Sequence, residues 1–325
     1  MVQSARRTAL VLPRSFELSC VAGGIFDSFN IYQNTTGSLA DPTAVAGEVD
    51  AASVVAVIAG IEKWDASAIS LFPNLKCIIR FGVGMDNVNL DFAKQRGIAV
   101  FSTPLAPAKA VAEFTVALAL SMLRNIPSAS QSLSAGSWVS TQGRSLSDKR
   151  VGIVGLGNVG RAAARLFRAF GCTVSAYDPF APSSSEEENY VRILELEELI
   201  STSDVISLHV PLSSQTRNMI RLPEIMLMKR DAVLINTSRG AIINEEDLHI
   251  ALTQGHLGGV ALDVFEEEPY RGSLIGLDRT LLTPHIASNT FEAKSLMSRE
   301  AAIKLGEYLA DLAKTNSPTP EEVNQ

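Results

Sequence analysis

The chain has 325 residues, long for one ordinary core and of a length that suits two domains. Hydrophobic residues make up 46% and charged residues 19%, a globular rather than a disordered balance. A net charge of −7 and a pI near 5.3 argue against a nucleic-acid-binding face, yet leave room for a small anionic ligand held by a few local arginines.

Along the chain, the N-terminal stretch offers only the four-residue apolar run "ALVL", closed by Pro13 and Arg14, which is too short for a secretory segment. Strands are predicted at 53–60, 75–82 and 98–103. The prolines of "STPLAPAKA" (102–110) then mark a joint before a long helix. Within that helix, "FTVALALSML" (114–123) is about half a membrane span and reads as a buried helix, so no membrane partner is expected. Further strands are predicted at 150–157, 173–178, 205–211, 232–238, 259–265 and 280–285, with a second joint near 285–293 and a frayed tail beyond. Several of these runs are apolar on successive residues, as in parallel strands covered on both faces. The expected architecture is therefore α/β, with two Rossmann-like or flavodoxin-like domains built on parallel sheets. One domain is discontinuous (1–102 with 290–325) and the other spans 103–289. The cysteines, Cys20, Cys77 and Cys172, are odd in number and widely spaced, so neither a disulfide frame nor a metal site is expected, and a reducing cytoplasm fits.

The most informative stretch is "RVGIVGLGNVGRAAARLFRAFGCTVSAYD". It places Gly155, Gly157 and Gly160 in GxGxxG spacing between a strand and a helix, and ends the next strand at Asp178, eighteen residues after Gly160. The whole unit is a dinucleotide fingerprint. Gly155 permits the tight turn, Gly157 lets backbone approach a pyrophosphate at the helix N-terminus, and Gly160 lets helix and strand pack. A carboxylate at 178 accepts ribose hydroxyls and repels a 2′-phosphate, which favours NAD over NADP.

A nicotinamide enzyme needs a proton donor and acceptor, and histidine suits neutral pH. His249 and His256 sit in a polar helix and turn and are expected to be exposed; His209 ends a strand, either packed or hydrogen-bonded beside the cofactor. His285 follows a strand and a proline, at the carboxyl edge where ligands bind in such folds. The strand ends "NTSRG" (236–240) and "DVFEEEP" (263–269) should face the same edge. Arg239 can hold a carboxylate through paired hydrogen bonds, a glutamate beside His285 would favour imidazolium, and Asp263 would point towards the nicotinamide.

From about residue 50 onward the chain resembles the D-isomer-specific 2-hydroxyacid dehydrogenases. "RFGVGMDNV", "VAEF", "GIVGLGNVG", "HVPL", "INTSRG", "DVFEEEP" and "TPHIAS" occur in that family's order. The resemblance implies that Arg239 binds the substrate carboxylate, that Glu268 partners the histidine, and that His285 is the general acid/base. Glu266 and Glu267 are then solvated. It further implies backbone contacts to the pyrophosphate from Asn158 and Val159, cofactor contacts from Val210, Thr237, Ser238 and Asp263, and substrate-carboxylate donors at the amides of Val83 and Gly84. It also implies a homodimer, with the apolar 110–123 helix as one possible contact and burial within a single chain as the other account of that helix.

Arg80 in "RFGVGMDNV" is most similar to the 3-phosphoglycerate dehydrogenase branch, where the matching arginine can reach the substrate phosphate; the other reading is a surface charge at a strand end. Two departures stand out. Pro107 stands where many members have asparagine, and the sequence ends soon after the last predicted helix, so the regulatory domain of longer phosphoglycerate dehydrogenases is not expected. The reading is an NAD-dependent oxidoreductase of small anionic D-2-hydroxy acids. Its alternatives are a glyoxylate or hydroxypyruvate reductase and, from another class, an NAD(H)-sensing corepressor-like binding protein. The intact set of Arg239, Glu268 and His285 favours an enzyme over the sensor.

Overall fold

The computed structural model describes residues 7–18, 29–35, 40–180 and 191–315. They form two compact units: residues 1–107 with 290–325, and residues 108–289. The first division falls after Pro107 rather than after 102. The reason is local: beyond the strand that ends at Ser102, Thr103 is tied back to Gly82, its amide donating to the Gly82 carbonyl at 2.9 Å and its Oγ1 accepting from the Gly82 amide at 2.8 Å.

Unit 1 carries β1 (Thr8–Val11), β2 (Asn30–Gln33), α1 (Pro42–Glu48), β3 (Val54–Ala59), α2 (Ala66–Ser70), β4 (Cys77–Arg80), α3 (Leu90–Gln95) and β5 (Ala99–Ser102). The strands form one parallel sheet in the order β2-β1-β3-β4-β5, the flavodoxin-like winding. Its three short helices begin at carboxylate or amide caps: Asp41, Asp65 and Asn89 each accept a backbone N–H of the first turn.

Unit 2 carries α4 (Ala108–Leu123), α5 (Ile126–Ser134), β6 (Arg150–Val154), α6 (Asn158–Ala169), β7 (Thr173–Tyr177), β8 (Arg192–Ile193), α7 (Leu196–Thr202), β9 (Val205–Leu208), α8 (Leu222–Leu227), β10 (Val233–Asn236), α9 (Glu245–Thr253), β11 (Gly259–Leu262) and β12 (Thr280–Leu282). The chain then returns to unit 1 through α10 (Phe291–Thr315), which packs against β4. The second sheet is also parallel, in the order β12-β11-β10-β9-β6-β7-β8, so the winding reverses between β6 and β9. In a doubly wound sheet that reversal opens a ligand crevice at the carboxyl ends of the strands. β9, β10 and β11 are buried at every residue, which explains their unbroken apolar runs. Gly160, Ala163, Ala164 and Phe167 of α6 are buried at helical spacing and face the sheet.

The predicted strands occur, but each runs one to three residues past its last ladder pair. Examples are 205–211 for Val205–Leu208 and 259–265 for Gly259–Leu262. Burial persists beyond the ladder in Val210, Val264 and Phe265, so the apolar pattern outlasts the pairing. Three short strands, β1, β2 and β8, were not expected. The apolar 110–123 helix is explained within one chain: nine residues of α4 are buried, and Ala112, Val116, Ala119 and Leu123 join the core shared with α6. Among the described residues no single helix is long and apolar enough to cross a membrane. Cys77 and Cys172 are buried free thiols; Cys20 and most of the predicted tail lie outside the described residues.

Candidate active site

At the glycine turn, Gly155 has φ +95°, and its amide donates to the Tyr177 carbonyl at 2.8 Å. A Cβ there would meet the His209 backbone at 2.8 Å and Val210 Cγ1 at 2.9 Å, so the turn lies directly against the end of β9. At Gly160 a Cβ would sit 2.0 Å from the Gly155 carbonyl oxygen, and only glycine allows α6 to come this close. Gly157 is different: a Cβ there would meet nothing within 4 Å. That open space lies at the N-terminus of α6, where Gly157 is the N-cap and supplies no side-chain cap, and where Asn158 and Val159 begin the first turn. The first-turn amides and the helix dipole suit a pyrophosphate. Asp178 sits directly after β7, its Oδ2 accepting the Leu156 amide at 2.7 Å and its Oδ1 the Phe180 amide at 2.9 Å. The carboxylate is thus held beside the turn, and the residues present fit a dinucleotide.

His209 follows β9 with Nε2 2.9 Å from Ser207 Oγ, while its Nδ1 is sealed from solvent and has no hydrogen-bond partner. Burial lowers this histidine to about 4, so the ring is neutral at physiological pH. His256 departs from the expectation of exposure. It is buried under the turn after α9, with Nε2 3.2 Å from the Met228 carbonyl.

At the end of β10, Asn236 is fully buried and organises the turn that follows. Its Oδ1 accepts the amide and hydroxyl of Ser238 at 3.0 and 2.8 Å, and its Nδ2 donates to the Arg239 carbonyl at 2.8 Å. Thr237 Oγ1 pairs with Thr115 Oγ1 of α4 at 3.1 Å. The Arg239 Nη1 donates to the Ser238 carbonyl at 2.7 Å. Gly240 follows, and a Cβ there would lie 1.8 Å from the Phe265 carbonyl carbon, so the arginine turn and the acidic loop are stacked without space between them.

Asp263, the first residue past β11, is fully buried. Its Oδ1 accepts from Thr283 Oγ1 at 2.6 Å and from the Ile286 amide at 2.8 Å, and its Oδ2 accepts the Ala287 amide at 2.8 Å. Its own carbonyl receives the His285 amide at 2.9 Å. The expectation that Asp263 points towards a nicotinamide therefore needs correction: the carboxylate is turned to the 283–287 loop and anchors it on both sides of His285. This anchorage accompanies a left-handed backbone at His285, φ +54°, which costs a non-glycine residue about 1 kcal/mol and persists only where the surroundings impose it.

His285 Nδ1 lies 2.8 Å from Glu268 Oε2, with both side chains about one-third exposed. The other Glu268 oxygen accepts the Phe265 amide at 3.1 Å. Burial pushes the Glu268 carboxyl up, but the hydrogen bond and charge of His285, the Phe265 amide and the charge of Arg239 outweigh it, and the net shift is downward. An ionised Glu268 only accepts, so His285 Nδ1 carries the hydrogen and donates it. Nε2 is then the ring atom free to exchange a proton with a ligand. Tyr270 stacks on Phe265 at 4.1 Å and its hydroxyl accepts the Leu274 amide, which stiffens the loop bearing Glu268. Glu266 is exposed and pairs with Arg217 at 2.8 Å, and Glu267 is exposed.

The structure thus brings His285, Glu268 and Arg239 together on the carboxyl edge of one sheet. In unit 1, Arg80 is buried at 7% exposure, which overturns the reading of it as a surface charge. Its Nε donates to Asn87 Oδ1 at 3.2 Å and its Nη1 to the Phe81 carbonyl. Val83 is exposed, and Gly84 partly so, in the loop that follows. Sequence reasoning passed over Asn236 and Gly240. A lone asparagine ending an apolar strand was the available signal for the first; the close stacking at Gly240 has no local signal.

A doubly wound sheet with a glycine turn, an aspartate held beside that turn and a carboxylate-backed histidine fits a dinucleotide-dependent oxidoreductase. Residues 116–287 match the model of the D-isomer specific 2-hydroxyacid dehydrogenase, NAD binding domain. Hydroxypyruvate reductase of Thermotoga maritima is 39% identical over 257 residues, covering 77% of this chain and 83% of that protein. D-3-phosphoglycerate dehydrogenase of Methanocaldococcus jannaschii is 39% identical over 244 residues, 74% of this chain but 47% of that protein, so the chain spans about half of that relative. Among solved structures, a glyoxylate reductase from Paecilomyes thermophila superposes with a TM-score of 0.83 at 28% identity, covering 98% and 99% of the two chains. The chain belongs to the D-isomer-specific 2-hydroxyacid dehydrogenase family. It is an NAD-dependent oxidoreductase acting on CH–OH groups.

Proposed function

We propose that this enzyme interconverts a small D-2-hydroxy acid bearing a distal anion, of the 3-phosphoglycerate type, with its 2-keto acid. Bound NAD supplies the hydride acceptor and, when reduced, the donor. In the oxidative direction His285 Nε2 takes the hydroxyl proton, Glu268 stabilises the imidazolium that forms, and Arg239 holds the substrate carboxylate. The Val83 and Gly84 amides are proposed as further carboxylate donors and Arg80 as the cation for the distal group. Asn158, Val159, Val210, Thr237 and Ser238 are proposed to contact the cofactor through the backbone and small polar groups. Asp263 acts by seating the histidine loop. The observation that carries this reading is the 2.8 Å Glu268–His285 pair, backed by Arg239.

A second reading, reduction of glyoxylate or hydroxypyruvate, is favoured by the likeness to the Thermotoga maritima reductase over most of that protein's length. Initial rates of NADH oxidation with phosphohydroxypyruvate, sulfopyruvate, hydroxypyruvate, glyoxylate and pyruvate, for wild type and Arg80→Ala, separate the two. Preference for the first two acids, abolished in the variant, supports the first reading. Preference for glyoxylate or hydroxypyruvate with an indifferent variant supports the second.

A homodimer is part of the same proposal. Ile126 and Leu133 of α5 and the following Trp138 and Val139 are all exposed, Trp138 at 88%, and a partner subunit would cover them. Sedimentation velocity of wild type and Trp138→Glu reads that surface. The buried free thiols Cys77 and Cys172, raised by burial to about 12 and about 11, are compatible with the cytoplasm as the working compartment.

A further inference from the structure

One hydroxyl on the buried face of α4 is not explained by packing. Thr115 is fully buried and lies three and four positions from Ala112 and Ala119, in the stripe of α4 that joins the core under the second sheet. A valine would have the same shape there and bring no polar atom to satisfy. The Thr115 hydroxyl donates to the Val111 carbonyl at 2.8 Å, one helical turn back. A hydroxyl has one proton, so in the 3.1 Å pair with Thr237 Oγ1 the Thr115 oxygen accepts and Thr237 donates. The bonds therefore run from Thr237 through Thr115 to Val111. Val111 already satisfies Thr115, so the second bond serves Thr237.

Thr237 is the first residue past β10 and opens the turn that carries Ser238 and Arg239. The Asn236 side-chain bonds lie within that turn. The Thr115 bond reaches out of it, across 122 positions of sequence, to a helix that packs on β10 and β11. Both partners belong to unit 2. We propose that Thr115 is a positioning residue for the reaction: by accepting the Thr237 hydroxyl it fixes where the 237–239 turn stands, and so aims Arg239 at the substrate carboxylate. The role of the turn rests on the oxidoreductase reading, whereas the bond that holds it does not. Arg239 holds the carboxylate before and during hydride transfer alike, so a loosened turn weakens binding of the acid more than it slows chemistry.

The test compares wild type, Thr115→Val and Thr115→Ser. Amide hydrogen exchange, read by mass spectrometry on the peptide spanning 236–240 and on peptides from β6 and β9, needs no turnover. Steady-state reduction of the best keto acid of the panel above gives KM and kcat, and fluorescence titration gives NADH affinity. The proposal expects Thr115→Val to speed exchange at 236–240 at least tenfold with β6 and β9 unchanged, and to raise KM for the acid at least tenfold with kcat little altered. Thr115→Ser keeps the hydroxyl and should stay close to wild type in both. Unchanged exchange at 236–240, or faster exchange with an unchanged KM, would overturn the proposal. Exchange raised equally in all three peptides would overturn it too, and leave Thr115 as general packing. A wild type that neither binds NADH nor turns over any acid, beside local loosening in Thr115→Val, would instead fault the oxidoreductase reading and leave the hold on the turn standing.

Discussion

Two stretches of the second sheet's carboxyl edge work by opposite means. The glycine turn at 155–160 acts through backbone and through side chains that are missing: space at Gly157, contact at Gly160, and free amides at the head of α6. The acid–base edge acts through side chains tied to one another across the chain. Asp263 binds Thr283, Ile286 and Ala287; Glu268 binds His285; Asn236 binds Ser238 and Arg239. The first region is proposed to hold a cofactor whose charge suits amides; the second must hold one imidazole in one orientation. Damage to the turn should therefore be read in NAD affinity, and damage to the edge in rate.

The largest effect on stability should come from Asp263→Asn. The amide side chain puts a donor where Oδ1 or Oδ2 receives one, leaving at least one buried donor unpaired, and breaking such a buried charged network costs about 3 kcal/mol. We expect a lower Tm and a kcat reduced roughly 10²-fold, because His285 loses its seat. NADH affinity, measured by fluorescence titration, should change little. A variant with full kcat would show that the loop needs no anchor.

Asp178→Ala strikes the other region. It removes the acceptor of the Leu156 amide and the proposed ribose contact, and the expected loss of NAD affinity is roughly tenfold, the value of one charge-assisted hydrogen bond. The rate at saturating cofactor should be nearly preserved. A fall in kcat larger than the fall in affinity would erase the distinction between the two regions.

That distinction also explains what was legible in the sequence. The turn is written in one unbroken stretch, residues 150–178, so Gly155, Gly157, Gly160 and Asp178 could be named from spacing. The edge is assembled from three strand ends that lie far apart in the chain. His285, Glu268 and Arg239 were named because their motifs follow a family's order. The direction of Asp263 was misjudged, because a strand-end carboxylate gives no local sign of whether it faces a ligand or a neighbouring loop. Arg80 was left open between two readings for a related reason: a charge at a strand end can read as solvated until the asparagine seven residues on is seen to hold it. His256 shows the same limit in a polar turn that happens to be covered.

The smallest effect belongs to His209, where the two regions meet. Its folded-state pKa, about 4, lies below the ordinary value of 6.5. Between these values the unfolded chain binds the extra proton, so this residue's contribution to stability is complete above about pH 6.5 and is lost as pH falls towards 4. The slope is at most about 1.4 kcal/mol per pH unit. Denaturant unfolding across that range should show a flatter profile for His209→Gln than for wild type. Parallel profiles would mean that the ring is not held neutral in the folded protein.

The most direct test of the account is single-turnover hydride transfer, followed at the NADH absorbance, for wild type and His285→Gln with cofactor affinity measured on the same samples. The account predicts transfer slowed by about 10³-fold with NADH affinity unchanged, since it assigns proton transfer to His285 and cofactor binding to the glycine turn. Equal losses in rate and affinity, or a rate close to wild type, would contradict it.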